Sequence, residues 1–197
     1  MNQQESNHKK ETFHSLKPRM PFLQKFIAYY YFHTSKEENY CSTFTYYPHV
    51  KNALSIYKNS KIILRGDYHT KTIPDSVDYF FTYTKLTHQF ATAEIHAPFD
   101  KIGIVFQPLG INHFLKENLS DVVFSQFSLD FPCFQASMAP FLDRIYTRKD
   151  LEEKVRLLDE YFLSVYVEFQ EKRLEHAMLL LSDPEVKYTV QSLSEKL

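Results

Sequence analysis

Four side chains in this sequence have the chemistry to gather a metal ion: His69, His88, Glu94 and His96. Glu94 and His96 stand two apart in a stretch that reads as a strand, so both point to one face. Mixed histidine and carboxylate sets bind Zn or Fe(II). The pattern is incomplete, because no His-x-His pair with a carboxylate a few residues on is present. Surface or hydrogen-bonded histidines are the simpler account, and no metal or other cofactor is expected. The metal set kept as an alternative is His69, Glu94 and His96.

No nucleophile stands out. The chain lacks a Gly-x-Ser-x-Gly elbow and a cysteine in a catalytic Cys/His setting, and its three glycines could hardly build a phosphate-cradling loop. Glu37-Glu38 and Glu152-Glu153 sit in charged stretches and read as solvated faces. The expectation is a protein that is not an enzyme.

The aromatic residues carry a different chemistry. Tyr79, Phe81 and Tyr83 alternate on one face of an expected strand, while Tyr46, Tyr47, Tyr57 and Tyr68 lie on neighbouring ones. A barrel mouth lined by tyrosines would bind a small, partly apolar molecule, its orientation set by phenol hydroxyls. The candidate ligand residues are Tyr46, Tyr57, Tyr68, Tyr79, Phe81 and Tyr83. The competing account makes the same rings ordinary core and rim.

These residues sit in a β-rich stretch. Residues 42–47, 53–57, 61–65, 77–86, 90–96 and 102–107 favour pleated, half-buried surfaces. Pro48, Asn59-Ser60, Gly66-Asp67, Pro74-Asp75 and Pro98 separate them, and residues 58–61 read as a hairpin turn. Short strands at this spacing predict an antiparallel sandwich or small barrel. Residues 21–32 form an aromatic run that fits helix or strand.

After Pro108 the period changes. Residues 111–117 and 135–146 read as helices, the second despite Pro140. Residues 151–170 form the strongest helix, opened by Asp150 with Glu153 three residues on, a variant of the capping box. Leu151, Val155, Leu158, Phe162, Val165 and Phe169 follow at alternating steps of four and three. Such a seam packs on its own chain's sheet or pairs with a second copy across a two-fold axis, so these six are the candidate dimerisation residues. Residues 174–181 continue as helix. Residues 189–197 open another, capped by Thr189 or Ser192, with Val190, Leu193 and Leu197 on one face.

Length and composition bound the reading. The 197 residues suit one large domain or one and a half small ones; 44% are hydrophobic and 24% charged, with a formal net charge of −1. A balanced charge argues against a general nucleic-acid surface. Residues 1–17 are polar, with no apolar run of the signal-peptide kind. The apolar runs fall short of the roughly 18–20 residues of a membrane span. Cys41 and Cys133 are distant and unpatterned. A soluble cytoplasmic protein with no membrane partner is expected.

One segment suggests a family: Ile102-Gly-Ile-Val-Phe-Gln-Pro-Leu-Gly-Ile-Asn-His-Phe-Leu115. It resembles the hallmark of the effector-binding and dimerisation domain of AraC/XylS-type transcription regulators. There a strand ending in an aromatic residue, here Phe106, runs through a Pro-x-Gly turn, here Pro108 and Gly110, into a short helix. Tyr46-Tyr-Pro48 followed by Ala53-Leu-Ser-Ile-Tyr57 is similar to an early strand pair of such domains. Thr189 to Leu197 resembles the first helix of the family's DNA-binding domain. The three pieces occur in the family's order across residues 18–197.

The resemblance implies an α+β chain: an antiparallel, cupin-like β-barrel or sandwich that senses a small-molecule effector, followed by a helical half that forms a homodimer. The family's reading heads are two helix-turn-helix units. Only part of one helix is present here, so DNA binding is expected through a further C-terminal domain and not through these residues. The implied layout is a flexible leader at 1–17, a sensor at 18–108, a helical dimerisation subdomain at 109–182, and a linker with the start of the next domain at 183–197. The alternatives are a small cupin-like metalloenzyme and a stand-alone small-molecule-binding module.

Overall fold

Strand periodicity governs the first half of the chain. A computed structural model describes residues 11–37, 39–66, 68–85, 89–123, 127–181, 183 and 185–197. Strand β1 (Thr12–Leu16) is followed by a 3-10 turn at Leu23–Lys25. Then come β2 (Ile27–Ser35), β3 (Cys41–Tyr46), β4 (Asn52–Leu64), β5 (His69–Thr84), β6 (Ala91–His96) and β7 (Phe99–Phe106). A second 3-10 turn, Gly110–Phe114, leads to the short helix α1 (Leu119–Val122) and to β8 (Phe127–Leu129). The helices α2 (Gln135–Thr147), α3 (Leu151–Ser164), α4 (Lys172–Leu181) and α5 (Val190–Ser194) complete the chain.

The strands form one curled, half-barrel sheet in the order β1-β2-β7-β4-β5-β6-β3, with β8 pairing β5. The sheet is mixed. Most pairs are antiparallel, but β5 and β6 run parallel where His69 faces Thr92 and Lys71 faces Glu94. The purely antiparallel arrangement expected from the strand spacing is therefore corrected at one pair. The coarser expectation of an α+β chain stands.

Two expected breaks are not breaks. The expected strands 53–57 and 61–65 fall on one strand, β4, which ends at Leu64 and pairs with β5 on both sides of Asn59. Asn59 takes φ 52°, and the register shifts between Lys58 and Ser60. The positive φ that suggested a hairpin makes a bulge instead, because both flanks keep the same partner strand. Pro74-Asp75 likewise lies inside β5. The reversal from β4 to β5 comes later, where Arg65 N donates to His69 O at 2.6 Å and Gly66 takes φ 79°.

Alternation along each strand divides the sheet into two faces. Tyr30, Phe32, Leu54, Ile56, Phe81, Tyr83, Ile102, Ile104 and Phe106 point to one face and are buried. Helices α2 and α3 cover it with Met138, Leu142, Ile145, Val155, Leu158 and Phe162, in a single continuous core. Each such side chain withdrawn from water contributes about 1.5–3 kcal/mol. This core joins residues of the expected sensor and helical parts, and β8 brings part of the helical stretch into the sheet. The expected leader also contributes a strand, since β1 pairs β2 from Thr12 to Leu16.

Candidate functional site

The opposite face of the sheet curls around a cavity. Its first lobe, about 70 Å³, is lined by residues that include Tyr31, Tyr46, Ser55, Tyr57, Thr82 and Lys101. A neighbouring lobe of about 250 Å³ adds Phe13, His33, Phe44 and Ile95. Tyr31, Tyr46, His49, Ala53 and Lys101 belong to both. The Asn59 bulge shapes the first lobe. Ala53, Ser55 and Tyr57 reach it from odd positions of β4, whereas Ile62 reaches it from an even one. Between Lys58 and Ser60 the pairing jumps from Tyr79 to Pro74, an odd shift of register, and such a shift changes the face that later side chains meet.

Lys101 is the unusual residue of this cavity. It is 3% exposed, on a strand whose other buried side chains are apolar. Its ammonium lies 5.1 Å from the centre of the Tyr31 ring and 5.0 Å from that of Tyr57. Burial pulls its pKa down, but the phenol oxygens of Tyr31, Tyr46 and Tyr57 more than offset that and hold it well above the ordinary lysine value. Lys101 is therefore a cation at neutral pH. Among the described residues no carboxylate forms an ion pair with it. Desolvating an ammonium costs several kcal/mol, whereas a cation–π contact returns about 2 kcal/mol. The two rings and the three phenol oxygens together meet that cost.

Neighbouring groups hold the walls in place. Tyr31 Oη and Ser55 Oγ are 2.9 Å apart. Gly103 faces Tyr31 across the strands, and a Cβ there would overlap the Tyr31 ring. The bare glycine lets that ring lie over β7, next to Lys101. At the far end His33 Nε2 is 2.5 Å from Glu11 Oε2 and packs edge-on to Phe99 at 4.8 Å. Burial lowers the His33 pKa, outweighing the Glu11 carboxylate, so its ring is neutral at pH 7.

Of the six ligand residues expected from sequence, Tyr46 and Tyr57 line this cavity. Tyr79, Phe81 and Tyr83 do share a face, but it is the face under the helices. Phe81 and Tyr83 are buried in the core, and Tyr79 donates to Asp143 Oδ1 of α2 at 2.6 Å. Tyr68 lies outside both lobes, and its carbonyl accepts from Thr92 N at 2.8 Å. Lys101, Tyr31 and Ser55 escaped the sequence reading. A lysine beside the apolar run Ile102–Phe106 is the signal that could have found Lys101.

The histidine and carboxylate set assembles around Glu94. His96 Nε2 contacts Glu94 Oε1, and His69 Nε2 lies 3.7 Å from Oε2. Cys41, paired with His96 across β3 and β6, places its Sγ 3.6 Å from His96 Nε2. Lys71 Nζ also sits 3.0 Å from Glu94 Oε1. Hydrogen bonds from His96 and Lys71 hold the Glu94 pKa down at about 2. The cluster alternates with Ala93 and Ile95, which point into the cavity, so it lies on the outer surface of the sheet. The donor types suit a divalent cation, while Lys71 already supplies Glu94 with positive charge. His88 lies outside the described residues.

The expected dimer seam is divided by the end of α3 at Ser164. Val155, Leu158 and Phe162 are buried in the chain's own core, with Leu151 and Val165 packed against it. Phe169 lies beyond the helix, edge-on to His113 at 5.7 Å. The Asp150 cap forms, its Oδ1 accepting from Glu152 N at 3.2 Å. Thr189 and Ser192 form a reciprocal capping box at the start of α5.

Fold and site together describe a curled mixed sheet, backed by helices on one face and holding a tyrosine-walled cavity with a buried cation on the other. The chain matches no family model, no curated protein and no solved structure. Among the described residues no helix is long and apolar enough to cross a membrane.

Proposed function

We propose that this chain is the effector-binding regulatory part of an AraC/XylS-type transcription regulator, and that the effector is a small molecule held on the concave face of the sheet. The observation that carries this reading is the cavity around Lys101, with its aromatic and hydroxyl lining. The strand, Pro-x-Gly turn and short helix of residues 102–115 support the family assignment, as does the capped helix that opens at Val190. A ligand acts in such a protein only through different affinities for two states. Here the cavity and the helix-packed core share the strands β4, β5 and β7, so occupancy on one face bears on helix packing at the other.

Homodimerisation belongs to this reading. The seam residues Val155, Leu158 and Phe162 are occupied within the chain, whereas Leu174, Leu179 and Leu181 of α4 are exposed and available for a second copy. The test of the function is the reading frame beyond the codon for Leu197. Roughly 80–100 further residues with two helix-turn-helix patterns and a basic excess support it. A stop within a few codons overturns it and favours a stand-alone binding module.

A second reading, a cupin-like metal centre, draws on the Cys41, Glu94 and His96 donors, which lie within 4.8 Å of one another. It requires near-stoichiometric metal in the purified protein, lost in His96→Ala. Metal-free protein removes it.

A further inference from the structure

Lys101 also bears on what the cavity accepts. We propose that the ligand is a small monocarboxylate with an aromatic or aliphatic body, its carboxylate seated on the Lys101 ammonium and its body lying between the rings of Tyr31 and Tyr46. This deepens the effector-binding reading and rests on it.

Three observations lead to that class. First, Lys101 is a buried cation without a carboxylate partner among the described residues, and it faces into the cavity rather than out of it. A bound carboxylate would supply the missing countercharge where water is scarce, the setting in which a charge-assisted hydrogen bond is strong. Second, Lys101 is the one lysine or arginine among the described lining residues. A phosphate or dicarboxylate calls for more than one cation, or for a nest of backbone N–H groups. A single ammonium matches a single negative charge. Third, much of the remaining lining is apolar or aromatic, namely Ala53, Phe44, Ile62, Ile95, Val105 and the tyrosine rings, while its one carboxylate, Glu11 at the far lobe, is already engaged by His33. Such walls take a hydrophobic body and reject a heavily hydrated one. The hydroxyls of Ser55 and Thr82 lie on the same lobe as Lys101, in the part of the cavity where the polar end would sit.

The test compares matched acids and amides on the whole chain. 3-Phenylpropionate is set against 3-phenylpropionamide, and octanoate against octanamide, by isothermal titration and thermal shift. Wild type and Lys101→Met are measured side by side. The expected result is that wild type prefers each acid to its amide by roughly tenfold to a hundredfold, the contribution of one hydrogen bond to a charged group. Lys101→Met, of similar length and no charge, erases that preference. Equal binding of acid and amide to wild type overturns the carboxylate proposal and leaves the cavity reading standing. Failure of all four probes to bind wild type overturns both. These comparisons on wild type decide the matter even if Lys101→Met does not fold.

Discussion

The Tyr30 hydroxyl in β2 donates a hydrogen bond of 2.9 Å to Asp159 Oδ1 in α3, tying sheet to helix across 129 residues of chain. The other carboxylate oxygen accepts from Arg19 N at 2.8 Å and Met20 N at 3.0 Å. One buried carboxylate thus fastens the entry to β2, the sheet and the main helix. Burial raises the Asp159 pKa, only partly offset by these hydrogen bonds.

Replacing Asp159 by Ala leaves those three donors without their acceptor. A loss of about 3 kcal/mol in unfolding free energy is expected, against about 1 kcal/mol for Tyr30→Phe. Urea denaturation of the two variants checks the order. Because the folded pKa is raised, the charged form weakens the fold. The Asp159 contribution is therefore smallest at neutral pH and improves as pH falls through the folded value.

His33 has the opposite sign. Its folded pKa lies below the ordinary histidine value, so protonation favours the unfolded chain. The stability it contributes is complete above about pH 6.5 and is lost as pH falls through the folded value. Melting temperatures between pH 7.5 and 5 should fall in wild type and fall less in His33→Gln. Equal slopes would show that another group governs this range.

Gly110 is required for space. Leu109 carries the left-handed backbone of the turn, at φ 60°, while a Cβ on Gly110 would overlap the Phe26 carbonyl oxygen. That carbonyl also accepts from Gln107 N at 2.8 Å. Gly110→Ala is expected to cost about 3 kcal/mol through backbone displacement. A variant that melts with wild type would refute this account of the turn.

Leu158 separates the two fates of the seam. As a core residue, Leu158→Ala should cost about 2–5 kcal/mol with a midpoint independent of protein concentration. A seam that holds a dimer makes the midpoint rise with concentration. Denaturation at 1 and 50 micromolar, roughly the range in which mass action is visible, distinguishes them.

What the residues themselves determined was local. Alternation marked most of the strands, a change of period marked α2 and α3, and Asp150 and Thr189 marked the helix starts. Each rests on interactions within a few positions of the chain. Alternation also placed Tyr79, Phe81 and Tyr83 on one side of their strand. It could not say which side meets helices and which curls around a cavity, because that depends on where α2 and α3 dock. Asn59 reads as a turn until β5 is seen to flank it on both sides. In the sequence Lys101 simply precedes an apolar run, and only the sheet that closes over it buries its charge. Tertiary structure alone decided that, since burial of a side chain is set by strands and helices distant in sequence, and the cost of burying its charge arises only once they close around it.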